Sequence, residues 1–180
     1  ALPILKNIYK VELDTLGKTH RSVLYTQQSL ALTLAKLGQF EAAINQAQEN
    51  IALISENYPN QSNFINHANS VLGRVYFMAD QHELAIQQNL IHINQWNQGK
   101  ENNYASSLNL IALSYQHLKS FDQAAEYYQK WVSHLLKIYG ETDVKYLEGL
   151  LEWAEKAQEM HQKDQVQLLI VQVKGILTEN

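Results

Sequence analysis

Apolar residues along this chain recur at helical spacing, in pairs of segments that a short polar turn separates. The first segment has an apolar stripe made of Val23, Leu24, Leu30, Ala31 and Leu34. After a turn at residues 36–39, a second stripe is made of Ala43, Ile44, Ala47, Ile51 and Ile54. Both stripes have the period of one face of an α-helix, and Gly38 is typical of the position just past a helix end. The pattern therefore predicts two antiparallel helices joined by a tight turn.

The same pattern is repeated along the chain at a nearly constant interval. Residues 34–44 read LAKLGQFEAAI, residues 76–86 read YFMADQHELAI, and residues 115–125 read YQHLKSFDQAA. Intervals of 42, 39 and 42 residues separate the small residues that mark each copy, which are Ala31, Gly73, Ala112 and Ala154. Twelve residues after these markers come Ala43, Ala85, Ala124 and Val166. Self-similarity at a fixed period indicates a repeat protein, in which the fourth copy is the most degenerate.

The interval predicts the position of every helix. First helices are expected near residues 20–37, 62–79, 102–118 and 143–160. Second helices are expected near residues 40–57, 82–97, 121–139 and 163–178. The opening stretch ALPILKNIYKVELDTLG aligns with a second helix, so we expect the chain to start within a repeat.

We expect these hairpins to form one array, because a single two-helix hairpin cannot bury its apolar face alone. The predicted units are residues 1–17 (the second helix of a truncated leading repeat), 18–60, 61–100, 101–141, and a degenerate or capping repeat at 142–180. The predicted fold class is all-α. Its architecture is a right-handed superhelical stack of antiparallel helix pairs with a concave inner surface.

The motif resembles the tetratricopeptide repeat. It consists of LALTL at residues 30–34, a turn, and FEAA at residues 40–43. The copies are longer than the usual repeat of about 34 residues. That length, with LGKTH at residues 16–20, resembles the long-repeat variety found in kinesin light chains. Asp80 and Lys119 occupy the turn position that is Gly38 in the first copy, so the sequence leaves the turn geometry open.

The composition argues against several other classes of protein. The net charge is −4, whereas a nucleic-acid binder normally has a basic stripe. No apolar run approaches the roughly 20 residues needed to cross a bilayer, and no signal peptide is recognisable, so a cytoplasmic location is expected. Cysteine is absent, and no histidine pair has metal-binding spacing. The sequence also has no Gly-rich phosphate loop and no Gly-x-Ser-x-Gly motif, and nothing places a nucleophile beside a base. We therefore expect no metal, no cofactor and no enzymatic activity.

The resemblance implies where a partner would bind. In tetratricopeptide proteins the first helix of each pair lines the inner groove. The implied groove residues are Tyr25, Gln28, Lys36, His67, Arg74, Phe77, Asn109, Gln116 and His117. Arg74 is suited to pairing with a carboxylate, and the amides of Gln28 and Asn109 are suited to holding a peptide backbone. The expected partner is a protein or peptide segment.

Two side-chain clusters have both a functional and a structural interpretation. The acidic strip consists of Glu148, Glu152, Glu155 and Glu159. It receives a basic peptide, is a solvated helix face partly balanced by Lys145 and Lys156, or faces a further repeat unit of a longer protein. The solvated face is the favoured interpretation. The aromatic cluster consists of Tyr127, Tyr128, Trp131 and Tyr139, and it is interpreted as packing.

Three functions agree with such an array. The leading hypothesis is a non-enzymatic scaffold module that binds a protein or peptide in its groove. The alternative is a ligand- or peptide-sensing regulatory domain of a larger bacterial signalling protein or transcription regulator. A third hypothesis is self-association through the terminal helices, at residues 1–17 and in the final stretch VQLLIVQVKGIL.

Overall fold

The computed structural model describes residues 2–95 and 102–178. These two ranges contain nine α-helices and no strand. The helices are α1 (Leu2–Leu16), α2 (Arg21–Lys36), α3 (Phe40–Asn57), α4 (Ser62–Met78), α5 (His82–Asn94), α6 (Asn102–His117), α7 (Phe121–Tyr139), α8 (Val144–Glu159) and α9 (Lys163–Thr178). The all-α prediction is confirmed, and each helix lies where the apolar pattern predicts it. Helix α5 ends earlier than predicted, and residues 96 and 97 of that prediction lie outside the described residues.

The chain divides into two compact units, Ala1–Gly99 and Lys100–Asn180. In the first unit α1 packs on α2, and the hairpin α2–α3 packs on the hairpin α4–α5. In the second unit the hairpins α6–α7 and α8–α9 pack through α7 and α8. The division falls beside the predicted boundary between the repeats at 61–100 and 101–141.

The four hairpin turns in the described residues share one geometry, although three of them have another residue where the first has glycine. Positive φ angles of 74°, 55°, 59° and 59° occur at Gly38, Asp80, Lys119 and His161. In the third turn Lys119 N donates to Gln116 O at 2.9 Å, and Ser120 N donates to Tyr115 O at 2.9 Å. The other three turns repeat this pair of bonds, which is the Schellman arrangement that ends a helix. The spacing of the small residues therefore identifies the turn even where the residue in it is unfavourable.

The connections between hairpins show a second recurring arrangement. Gly17 and Gly140 have φ of 81° and 90°. Three residues after each glycine, the side chain of His20 or Asp143 accepts a hydrogen bond from the backbone N–H two residues further on, at 3.2 and 2.8 Å. These side chains cap the N-termini of α2 and α8, where the first amides have no partner within the helix.

Small residues form the seams between helices. Ala31, Ala43 and Ala85 are 0% exposed, and Gly73 is also buried. A Cβ atom on Gly73 would lie 2.5 Å from Asn89 Nδ2, so the absence of a side chain lets α4 and α5 approach closely. In the second unit, Ala112 and Ala124 are 0% exposed. In the fourth copy the equivalent residues, Ala154 and Val166, are only partly buried.

Candidate protein-binding surfaces

Helices α2 and α4 present five of the predicted groove residues at the surface of the first unit. We call Tyr25, Lys36, His67, Arg74 and Phe77 the α2/α4 surface. Tyr25 is 43% exposed, Lys36 is exposed, and the other three are half-buried. The Tyr25 ring lies 6.0 Å from the His67 ring, measured between centroids. Because α2 and α4 contain two arginines, one lysine and no carboxylate, this surface is cationic and aromatic.

Gln28, the sixth groove residue predicted in this unit, lies inside the protein. It is 2% exposed, and its Nε2 donates to Asn50 Oδ1 at 2.8 Å. Its Oε1 lies 2.8 Å from His67 Nδ1. The amide predicted to hold a peptide backbone thus bonds within the unit, connecting α2 with α3 and α4.

Asn50 is a structural residue that the sequence analysis did not identify. It is 1% exposed, and its Nδ2 donates to Leu24 O at 2.8 Å and to Gln27 Oε1 at 3.0 Å. A buried amide needs such partners because leaving it unsatisfied costs about 1–3 kcal/mol. The sequence feature that could have revealed this role is the position of Asn50, a polar residue in the apolar stripe of α3, seven positions after Ala43.

In the second unit, the predicted groove residues contact the acidic strip. Asn109 Nδ2 donates to Glu152 Oε1 at 3.1 Å, and Gln116 Nε2 donates to Glu159 Oε2 at 2.7 Å. We call Asn109, Gln116, His117 and the acidic strip the α6/α8 surface. His117 is exposed at the end of α6. Two of the four glutamates therefore join α6 to α8.

The remaining contacts of the strip only partly match the solvated-face interpretation. The hydrogen bond from Lys156 Nζ at 3.0 Å lowers the pKa of Glu159 below its usual value. Loss of solvent contact raises this pKa, and the hydrogen bond from Gln116 lowers it further. The predicted pairing of Lys156 is thus present. Lys145 was expected to balance a glutamate, and that expectation is wrong, because its Nζ lies over the Tyr139 ring, 4.4 Å from the ring centre. Glu148 and Glu155 are exposed.

The buried titratable groups fit packing better than catalysis. His92 is 0% exposed, and burial lowers its pKa to about 4, with a further contribution from the charge of His67. Its ring is therefore neutral near pH 7. Within the described residues, no group of three or more His, Cys, Asp and Glu side chains is arranged to hold a metal ion. No helix there is both long enough and apolar enough to cross a membrane.

Three solved structures show how this arrangement compares with known proteins. No family model matches the sequence, and no curated protein matches it. A Podosopora anserina kinesin light chain with nearly identical TPR-like repeats is 20% identical; the match covers 99% of this chain and 86% of that chain, with a TM-score of 0.78. BtubC (BKLC) from P. vanneervenii is 14% identical over 98% of this chain and 70% of that chain, with a TM-score of 0.76. MamA is 18% identical over 95% of this chain and 85% of that chain, with a TM-score of 0.63.

The fold is therefore that of an α-solenoid built from two-helix repeats. More narrowly, it is a TPR-like repeat fold, as the resemblance of the motif implied. At these identities the likeness establishes the fold alone.

Proposed function

We propose that this chain is a non-enzymatic interaction module that binds segments of partner proteins on its first-helix surfaces. The observation that supports this most directly is the α2/α4 surface, which combines an exposed tyrosine with cations. Aromatic residues and arginine are enriched where proteins bind one another. TPR-like repeat proteins are in general protein-interaction scaffolds, which is consistent with the proposal.

The chemistry of the α2/α4 surface favours an acidic segment as the partner of the first unit. Arg74 and Lys36 supply positive charge, and a guanidinium binds a carboxylate through two parallel hydrogen bonds. Tyr25 offers an apolar ring face and a hydroxyl group. Since α2 and α4 contain no Asp or Glu, no carboxylate on these helices opposes an acidic segment.

A titration of peptides against the 180-residue chain tests this proposal. The probes are a random peptide library and two matched peptides, one rich in Glu and Leu and one in which each Glu is replaced by Gln. We expect the Glu peptide to bind and Arg74→Gln to weaken binding about tenfold, which corresponds to about 1.4 kcal/mol. Lys10→Gln is the matched control, because Lys10 is exposed on α1, outside the surface.

Two results would contradict the proposal. If no peptide in the library binds, the chain is not a peptide-binding module. If Arg74→Gln and Lys10→Gln weaken the Glu peptide equally, a general charge effect explains binding and the assignment of the α2/α4 surface is wrong.

A second candidate, the sensory domain, is favoured by the contacts of His67. This residue lies on the α2/α4 surface and at the same time contacts the buried Gln28, which bonds to Asn50. A ligand that moved His67 would therefore act on the packing of α2 against α3. Amide hydrogen exchange in α3, measured with and without the bound peptide, tests this. If binding does not change the exchange rates in α3, the sensory role is excluded and the scaffold role remains.

A further inference from the structure

The second unit contains a cavity of about 340 Å³ between α6, α7 and α8. Its apolar floor consists of Ala105, Trp131 and Leu135, each 7% exposed. Its rim includes Glu148 and Glu152. Pockets for small ligands measure about 300–1,000 Å³, so this volume suits one or two side chains of a bound peptide.

Close packing around Gly149 shapes the floor of the cavity. A Cβ atom on Gly149 would lie 2.5 Å from Leu135 Cδ1 and 3.7 Å from the Trp131 ring. Without that Cβ, Leu135 lies directly against α8. The floor is therefore a fixed feature of the packing of α7 against α8.

The rim is acidic and partly fixed in place. Glu148 and Glu152 lie on successive turns of α8, so their carboxylates are neighbours on one face. Asn109 donates to one oxygen of Glu152 at 3.1 Å, which orients that carboxylate. The cation among the lining residues, Lys145, lies over the Tyr139 ring rather than between the carboxylates.

The surface of α8 beside the cavity is apolar. Leu151 is 52% exposed next to Glu152. An occupant of the cavity therefore meets negative charge at its polar end and an apolar contact beside it.

We propose that this cavity binds an arginine side chain of a partner protein, in a segment where an apolar residue adjoins the arginine. The aliphatic stem lies against Leu135 and the part of Trp131 that lines the cavity, and the N–H groups of the guanidinium donate to Glu148 and Glu152. Arginine fits better than lysine because its planar, weakly hydrated guanidinium forms paired bonds to carboxylates. The neighbouring apolar residue contacts Leu151. An acidic occupant is disfavoured by like-charge repulsion.

This inference rests on the proposed function, since it assumes a partner protein, but it assigns the opposite charge preference to a different unit. It is tested by nuclear magnetic resonance titration of the isotope-labelled 180-residue chain. The probes are three short Gly/Ser peptides with a central Leu-Arg, Leu-citrulline or Leu-Glu pair. Citrulline keeps the shape of arginine and removes its charge.

We expect the Leu-Arg peptide to shift the resonances of Trp131 and of its neighbours in the cavity. Citrulline and Glu148→Gln should each weaken binding about fivefold or more, because both remove the charged pair. Glu155→Gln is the matched control, with the same change of charge on the same helix but outside the cavity lining, and it should change the affinity less than twofold.

The inference is overturned if the cavity resonances do not respond to the Leu-Arg peptide, or if citrulline binds equally well. It is also overturned if Glu155→Gln and Glu148→Gln weaken binding equally, because the peptide is then attracted by the overall negative charge of α8 and not by the cavity. These failures are distinguishable from failure of the proposed function, which depends on the library and on Arg74→Gln in the first unit.

Discussion

The close approach of α4 and α5 predicts that one added methyl group at Gly73 destabilises the protein. A Cβ there would lie 2.5 to 2.9 Å from three side-chain atoms of Asn89. Asn89 is 0% exposed, so its side chain has no open space to move into. Overpacking of this kind costs about 1–3 kcal/mol, whereas replacing glycine by alanine inside a helix contributes about 1 kcal/mol of stability. We expect Gly73→Ala to lower the free energy of unfolding by about 1 kcal/mol.

The preceding hairpin indicates a second substitution that relieves this overlap. Its equivalent positions are both alanine, Ala31 and Ala47, and they lie in one apolar cluster. Asn89→Ala removes the obstructing side chain, at the cost of the bond from its Nδ2 to Ala85 O at 2.8 Å. The double variant Gly73→Ala/Asn89→Ala therefore reproduces the alanine pair of the first repeat. We expect it to be more stable than the sum of the two single changes by about 1–2 kcal/mol.

Urea denaturation followed by circular dichroism measures these differences. Gly175→Ala is the control, because Gly175 lies in α9 and a Cβ there meets nothing within 4 Å; this variant should be stabilised by up to about 1 kcal/mol. If the effects of Gly73→Ala and Asn89→Ala are simply additive, steric contact between these two positions does not set the spacing of α4 and α5.

Three other predictions concern a turn, a buried histidine and a terminal helix. Lys119→Gly should raise the melting temperature and stabilise the protein by about 0.5–1 kcal/mol, since Lys119 has φ of 59° and glycine adopts that conformation without steric cost; a lower melting temperature would contradict this. The folded state keeps His92 neutral down to about pH 4, whereas the unfolded chain takes up a proton below about pH 6.5. Stability should therefore fall as the pH drops from about 6.5 to 4, by about 3 kcal/mol at pH 4, and His92→Leu should flatten denaturation midpoints across that window; equal pH dependence in both proteins would refute the assignment. If α1 mediates self-association, Ile4→Ser/Ile8→Ser should shift light scattering toward monomer, because these side chains are 68% and 44% exposed; a wild type that is monomeric at every concentration would exclude that hypothesis.

The positions of the helices and turns could be predicted because the same pattern occurs in every copy, so each copy tests the assignment made in the others. Any single helical stripe is ambiguous by a few residues, but small residues recurring at a fixed interval fix the register of all copies together. The register is correct even in the fourth, degenerate copy, where His161 has the same φ of 59° as Lys119. The geometry of the turns was left open by the sequence at Asp80 and Lys119, and the structure shows that both adopt a positive φ, as Gly38 does.

The direction in which a polar side chain points could not be predicted equally well. Successive residues on a helix differ by about 100° in direction, so a small change in how a helix packs moves a side chain from the surface into a seam. Gln28 illustrates this: the family pattern places it in the groove, but the packing of α2 against α3 places it opposite Asn50. Likewise, the bond between Asn109 and Glu152 joins residues far apart in sequence, and nothing local in either helix signals it.

The charge distribution over the first helices predicts different binding preferences for the two units. Helices α2 and α4 contain two arginines, one lysine and no carboxylate. Helices α6 and α8 contain four glutamates and two lysines, and one of these lysines, Lys156, is already bonded to Glu159. Complementary charge speeds encounter and rejects wrong partners more than it adds affinity. A partner with one acidic and one basic segment would therefore satisfy both units, whereas a uniformly charged partner would be attracted by one unit and repelled by the other. For that reason, added salt should weaken both the binding of the Glu peptide to the first unit and the binding of the Leu-Arg peptide to the second unit. Reversing the charge of a peptide should move its binding from one unit to the other.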